Sequence, residues 1–288
     1  MSSEHTAGMN GGKSGGAGAG GAGGYGEVVS RLLALGDPFY ECEGHHGDAE
    51  GEAEDEAEGG AEDAVDGEDG EKGDEDGHGH GHVHLHKEEL DFVGMGLGGE
   101  HVGELLRMAC DKGLLARTDE SDPLSWGPMH ALDALAHVLS HAQAKGQAVS
   151  VNPAWPTKLM ELGEWLVKHE QDYLLDSWLG ACIEMGPAVV KPALGRMVNG
   201  RNPVTLRLLC IEAAELVAQE HAEVRGEVVG ALMAQLKQAR LNVVAMNDVL
   251  CLALRALGVA EAEGLIDAAY QGAGISEAAY QRRDVPKE

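Results

Sequence analysis

The sequence has few aromatic and few basic residues, and the shortage of basic residues argues against two classes of partner. Phe, Trp and Tyr make up 4% of its 288 residues, and 21 Lys and Arg face 49 Asp and Glu, which leaves a net charge of −28. Non-specific binding to nucleic acids, like binding to anionic membranes, needs surfaces rich in Lys and Arg. The composition therefore predicts that neither a nucleic acid nor a membrane is a partner.

Paired cysteines and long apolar runs are also absent. No C-x-x-C pair occurs, and the odd, scattered set of cysteines indicates a reducing compartment rather than a disulfide framework. The start of the chain has no apolar core typical of a signal peptide, and no apolar run reaches the length of a membrane span. Residues 1–24 are rich in Gly and Ala and contain no Arg, which is unlike a transit peptide. We expect a cytoplasmic protein with a disordered Gly/Ala-rich tail.

What the sequence does contain is helical periodicity. Apolar residues at 129, 132, 135, 136 and 139 share one face of a helix, and the prolines at 123 and 128 suit its first turns. From residue 157 onward the same periodicity, punctuated by Gly and Pro, predicts seven helices. Their predicted bounds are Thr157–Lys168, Asp172–Met185, Pro187–Val198, Pro203–Ala218, Ala222–Ala239, Ala245–Leu257 and Ala260–Gln271.

These helices appear in pairs at a spacing typical of helical repeats. The first helices of three successive pairs end near Met185, Val217 and Leu257, which gives spacings of 32 and 40 residues. Such spacings lie in the range of HEAT and armadillo repeats, whose units bury their apolar faces only by stacking on neighbours. The pattern predicts an all-α, HEAT/armadillo-like α-solenoid.

Three stretches carry a family resemblance. The motif Trp126-x-Pro128-x-His130-Ala131-x-x-Ala134-Leu135 resembles the central motif of an uncharacterised family of HEAT-like repeat proteins, best known from bacteria. Residues 31–38 and 96–109 are similar to that family's first two helices, so the resemblance covers most of the chain from residue 25. It implies a solenoid fold with its first helix in residues 25–40 and helical repeats in residues 87–274. The family has no agreed activity to carry over.

An acidic and histidine-rich insert, residues 41–86, interrupts this pattern. Residues 41–76 contain 18 Asp and Glu and one Lys, a net charge of −17, which leaves −11 for the remainder of the chain. A segment with charge of one sign and little apolar surface cannot offset the entropy lost on ordering, so we expect the insert to be disordered. Residues 275–288 are polar and are predicted to form either a frayed tail or a packed cap.

The insert also carries the strongest chemical signal. Imidazoles at alternate positions on a Gly-rich backbone can surround Zn²⁺, Ni²⁺ or Cu²⁺ from several directions. At the other end of the insert, Cys42-x-x-His45-His46 could add a thiolate and two further imidazoles. A low-complexity expansion with no selected role is the alternative interpretation. The alternating residues, called the His tract below, are His78, His80, His82, His84 and His86.

The central helix offers a second set of candidate metal ligands. His130, Asp133, His137 and His141 are spaced by three, four and four residues, so they share one helical face. The imidazoles of His137 and His141, which are four residues apart, would form half of a zinc or iron site, and Asp133 could orient an imidazole. The alternative is a polar face turned to solvent or to the backbone of a neighbour.

Four tryptophans stand close together in the first half of the repeats. Their role is open between core residues that fill space between early helices and anchors on a concave protein-binding surface. The four are Trp126, Trp155, Trp165 and Trp178.

Nothing in the sequence indicates catalysis. The Gly-x-Gly-x-x-Gly string at residues 94–99 lacks the preceding strand that a dinucleotide-binding site requires, and no nucleophile stands in a recognisable motif. We therefore predict a non-enzyme that requires no cofactor: an interaction scaffold whose solenoid binds a protein partner. The alternative is a metal-handling protein that stores or delivers zinc, nickel or copper through the insert.

Overall fold

The computed structural model describes residues 24–38, 90–272 and 274–282. Within these ranges all regular structure is helical and no strand occurs, which confirms the prediction of an all-α protein. The helices belong to one compact unit, residues 1–37 and 91–288, whereas of a second unit, residues 38–90, only Pro38 and Leu90 are described. No helix of the described ranges combines the length and the apolar character needed to cross a membrane.

The described chain forms twelve α-helices. Short 3₁₀ turns accompany several of them, at residues 31–34, 99–101, 123–126, 172–174, 186–189 and 260–262. The helices are α1 Glu27–Ser30, α2 Val102–Ala109, α3 Lys112–Leu115, α4 Gly127–Ala144, α5 Trp155–Lys168, α6 Leu175–Met185, α7 Val190–Val198, α8 Val204–Glu220, α9 Ala222–Leu236, α10 Val244–Ala256, α11 Glu263–Gln271 and α12 Glu277–Gln281.

The helices pack in two series. In the first series α2, α4, α6, α8, α10 and α12 each contact the next member, and in the second series α5, α7, α9 and α11 do the same. The two series contact each other, with α8 packed against both α7 and α9. The apolar faces of all these helices form one continuous hydrophobic core.

Two predicted pairings are wrong. The sequence pairs α6 with α7 and α10 with α11, but α7 packs chiefly against α8, and α11 packs against α9 and α12. A 3₁₀ turn at residues 186–189 separates α6 from α7 and itself contacts α6, α7 and α8. Gly186 begins this turn with a backbone φ of +68°, which residues that carry a side chain rarely adopt. The chain therefore changes direction there before α7 begins.

The first helical segment, which is α1 with the 3₁₀ turn at residues 31–34, packs against residues that come much later in the chain. Val29 and Leu32 of this segment are fully buried, and Gly36, with φ of +72°, terminates it. The Tyr25 hydroxyl donates to Asp111 Oδ2 at 2.5 Å. The segment therefore completes the core around α2, α3 and α4.

At the other end of the chain, α12 packs against α10. The Ser276 amide donates to Asp248 Oδ1 at 2.8 Å, and Arg255 Nη1 donates to the Ala279 carbonyl at 2.9 Å. Ile275 and Ala279 are buried. Residues 274–282 thus cover α10 and α11 in the manner of a cap.

Candidate functional site

The insert residues expected to bind metal lie outside the described ranges. This applies to the His tract and to Cys42, His45 and His46. Among the residues that the structure describes, no group of three or more His, Cys, Asp or Glu is placed to hold a metal ion. Metal binding by the insert therefore stays a prediction from the sequence.

The four polar residues of the central helix are now placed on α4. His130 is 1% exposed, and its Nε2 lies 2.7 Å from the Gly36 carbonyl oxygen, so this imidazole ties α4 to the first helical segment. His137 packs edge-on against Phe92 and lies nearly parallel to the ring of His141, at a centroid distance of 6.4 Å. Asp133 is partly exposed. For His130, the structure therefore agrees with the second interpretation, a polar side chain turned to the backbone of a neighbouring segment.

The four tryptophans divide into two groups. Trp178 is fully buried and its Nε1 donates to the Leu159 carbonyl at 2.7 Å, while Trp126 is 7% exposed and donates to the Glu120 carbonyl at 3.0 Å. Trp155 is half-buried against Gly103. Trp165 is half-buried and stacks on the ring of His169 at 4.0 Å. Trp126 and Trp178 are thus core residues, and only the other two present part of a ring to solvent.

Exposed aliphatic residues concentrate in a different place, the turns that join α7 to α8 and α9 to α10. Large hydrophobic residues are exposed at seven described positions, and five of these flank the two turns. The exposed fraction of Leu241 is 83% and that of Val198 is 56%. We call this region the turn surface; its aliphatic residues are Val198, Val204, Leu241, Val243 and Val244.

The two turns meet at an open cleft of about 330 Å³. Val198 and Gly200 line it from the first turn, and Leu241 and Asn242 line it from the second. Ala231, Ala234 and Gln235 of α9 also line it, with Gln238 just after α9 and Arg207 from the first turn of α8. The cleft therefore lies between the turn that joins α7 to α8 and the turn that joins α9 to α10.

The turn surface is also basic, unlike the chain as a whole. No Asp or Glu occurs in residues 185–211 or 228–247. Arg201, Lys237 and Arg240 are exposed, and Arg207 is half-buried at the cleft. No carboxylate of the described ranges lies within ion-pairing distance of these four side chains. They give the turn surface a local positive charge within a strongly acidic protein.

Side-chain hydrogen bonds fix the shape of both turns. In the second turn Asn242 Nδ2 donates to the Gln235 carbonyl at 3.1 Å and to Asn247 Oδ1 at 2.8 Å. In the first turn Asn202 Nδ2 donates to the Arg196 carbonyl at 2.9 Å. Such local bonds replace the backbone partners that a turn lacks, so both turns hold a defined conformation.

A second cleft, of about 440 Å³, lies where α4, α6 and α8 end. Gln143 of α4, Glu184 of α6 and Glu220 of α8 are among its lining residues, with His221 following α8. Burial raises the pKa of Glu184, and the nearby carboxylate of Glu220 raises it further, whereas a hydrogen bond from Ser140 and the charge of His221 oppose the shift. This cleft is acidic, opposite in sign to the turn surface.

Neither cleft was predicted from the sequence. A signal for the turn surface was nevertheless present, since Asn202-Pro203-Val204 and Asn242-Val243-Val244 are 40 residues apart, the larger of the two spacings between helix ends. The long acid-free stretches around both turns were a second signal. Neither shows that the two turns share one cleft, because that depends on how the helices pack.

Comparison with known proteins adds no relative. No protein-family model matches the chain, and no curated protein or solved structure is significantly similar to it.

Proposed function

We propose that this protein is a HEAT-like α-solenoid scaffold that binds a protein partner at the turn surface. The observation that carries the proposal is the group of exposed aliphatic side chains around the cleft between two successive turns. The two stacked series of helices and the spacing of 40 residues between equivalent turns support the solenoid assignment.

The chemistry of the cleft favours binding over catalysis. Single exposed aliphatic residues are ordinary, but clustered ones on a shaped surface mark interaction sites because their burial against a partner is favourable. The polar residues that line the cleft are Arg207, Gln235, Gln238 and Asn242. These groups donate and accept hydrogen bonds but include no nucleophile and no group that titrates near neutral pH. Such a lining is suited to recognising a peptide.

A second proposed function, metal storage or delivery, rests on the His tract. Five imidazoles in alternation next to a dense acidic segment favour binding of Zn²⁺, Ni²⁺ or Cu²⁺. The two functions are compatible, because they use different parts of the chain.

Site-specific photo-crosslinking tests the scaffold function. A photoreactive phenylalanine analogue replaces Gln238, which lines the cleft and is exposed, or Lys168 on α5 as the comparison position. We expect a discrete crosslinked protein from position 238 only. Adding Leu241→Ser and Val244→Ser should abolish that crosslink, because both changes remove exposed apolar surface without disturbing the core.

Leu90→Ser provides the matched control. Leu90 is 39% exposed, close to the 45% of Val244, and it is not one of the residues that define the turn surface. This change should leave the crosslink intact. Equal crosslinking from both positions, or a crosslink that survives the double change in the turn surface, would contradict the proposal.

A further inference from the structure

We infer that the segment bound at the turn surface is an acidic peptide of the partner that carries large apolar side chains between its carboxylates. This inference rests on the proposed function and specifies the chemistry of its partner. It requires that the surface present cations and apolar contacts together, that these cations be available, and that other occupants suit the surface less well.

The cations are available and well placed. Arg201 precedes Asn202 in the first turn, and Arg240 precedes Leu241 in the second, so each exposed guanidinium adjoins a residue of its turn. Arg207 Nε donates to the Met197 carbonyl at 2.7 Å, which holds this guanidinium at the cleft. A fixed guanidinium can donate two parallel hydrogen bonds to a carboxylate. Carboxylates therefore complement both the charge and the geometry of this surface.

Backbone groups add to the positive potential. The helices α8 and α10 both begin at the turn surface, with Pro203 and Val243 at their N-cap positions, and no described side chain caps either start. By contrast, Asp111 and Ser276 cap α3 and α12. The positive ends of two helix dipoles thus reinforce the four cationic side chains.

The chain's own acidic insert is a poorer match than a partner segment. Residues 41–76 supply charge, but their aliphatic residues are five Ala and Val65. Such a segment would leave the apolar contacts of the turn surface unused. The occupant should instead alternate carboxylates with larger residues such as Leu, Ile or Phe.

A nucleic acid is also disfavoured. Single-stranded nucleic acids bind by stacking bases on aromatic rings, and the turn surface offers aliphatic side chains instead.

The test is a binding titration with defined probes on the full chain. One fluorescent peptide alternates Asp and Glu with Leu and Phe, and a second has the same sequence with Asn and Gln in place of the acids. We expect the acidic probe to bind and the neutral probe to bind at least tenfold more weakly. Raising the salt concentration should weaken only the acidic probe, because exposed ion pairs are screened.

A matched pair of variants locates the site. In the first, Arg201, Lys237 and Arg240 are changed to Gln; in the second, Lys112, Lys158 and Lys168, which are exposed elsewhere, are changed to Gln. Both remove three positive charges, so a difference between them reports position rather than net charge. We expect about a tenfold loss of affinity in the first variant and less than twofold in the second, since the loss of each exposed ion pair weakens binding only a few-fold.

Each outcome has one meaning. Equal binding of the neutral and acidic probes, or equal loss in both variants, would overturn the acidic-peptide assignment, and so would tighter binding of a single-stranded oligonucleotide. A chain that dimerises in sedimentation equilibrium, with the dimer abolished by Leu241→Ser, would replace the peptide by a second copy. A partner that crosslinks at position 238 while the acidic probe fails to bind would leave the scaffold function standing and remove only this inference.

Discussion

The contact between Gly163 and Trp178 predicts that replacing Gly by Ala destabilises the protein at position 163, although the same change stabilises it at an exposed helical position. Gly163 is buried in α5, and a Cβ atom built there would lie 2.7 Å from Cζ2 and 2.8 Å from Cε2 of the Trp178 indole. The ring cannot slide away freely, because its Nε1 donates to the Leu159 carbonyl on the same helix. Gly163→Ala must therefore displace a fully buried side chain.

The magnitude follows from two opposing effects. Replacing a mid-helix Gly by Ala stabilises a helix by about 1 kcal/mol, whereas inserting a methyl group into a well-packed core costs about 1–3 kcal/mol. We therefore expect Gly163→Ala to lower the free energy of unfolding by about 1 kcal/mol. Gly230→Ala in α9 is the control, since Gly230 is exposed and its Cβ would meet nothing within 4 Å, so this change should stabilise by about 0.5–1 kcal/mol.

Urea unfolding monitored by circular dichroism measures both changes. A double-mutant cycle with Trp178→Phe adds a sharper readout, because phenylalanine lacks the indole atoms that the new methyl group would meet. The cost of Gly163→Ala should then fall by about 1 kcal/mol, a coupling typical of residues in contact. If Gly163→Ala stabilised the protein as much as Gly230→Ala does, the indole would not lie against α5 and the reasoning would be refuted.

Three further predictions concern charge, metal and the insert. Glu184→Gln should raise the melting temperature at pH 7 but not near pH 4. Because the pKa of Glu184 is raised in the folded protein, the stability that this residue contributes is present below its unfolded pKa and is lost as the pH rises through its folded pKa. A difference in melting temperature between variant and wild type that is the same at both pH values would contradict this prediction. In titration calorimetry the His tract should bind Zn²⁺ or Ni²⁺ near neutral pH and weaken below about pH 6, as imidazoles protonate. Changing all five histidines of the tract to Ala should abolish this binding, and equal binding without them would place the metal elsewhere. Replacing residues 42–86 by a short Gly/Ser linker should leave the melting temperature level or slightly higher, since loop closure depends only weakly on length; a fall of more than about 10 °C would show that the insert stabilises the fold.

The helices were predictable because their signals are local. Periodicity of apolar residues, with Pro and Gly at the ends, placed all seven helices between residues 157 and 271 within three residues of their observed bounds. The packing partner of α7 was not predictable in this way. It depends on the direction that the chain takes after Gly186, and a repeat spacing does not record direction.

The candidate sites were less accessible to sequence reasoning. His130 belongs by spacing to the polar face of α4, yet it is buried because a carbonyl from 94 residues earlier in the chain accepts its hydrogen bond. From the sequence, Trp126 and Trp178 are open between core residues and binding anchors, and only their surroundings show that both belong to the core. The turn surface is a product of stacking: Val198 and Leu241 line one cleft although 43 positions separate them in the sequence.

The position of the first helical segment also has a consequence for how the protein is made. Most contacts join neighbouring helices, so residues from 91 onward can assemble progressively as they leave the ribosome. The segment around Val29 emerges first, but its partners Asp111 and His130 are synthesised much later. At roughly 5–20 residues per second, its apolar side chains would wait on the order of 5–20 s for a surface to cover them. The earliest part of this core to be synthesised is thus among the last to be buried, and during that interval a chaperone could recognise it.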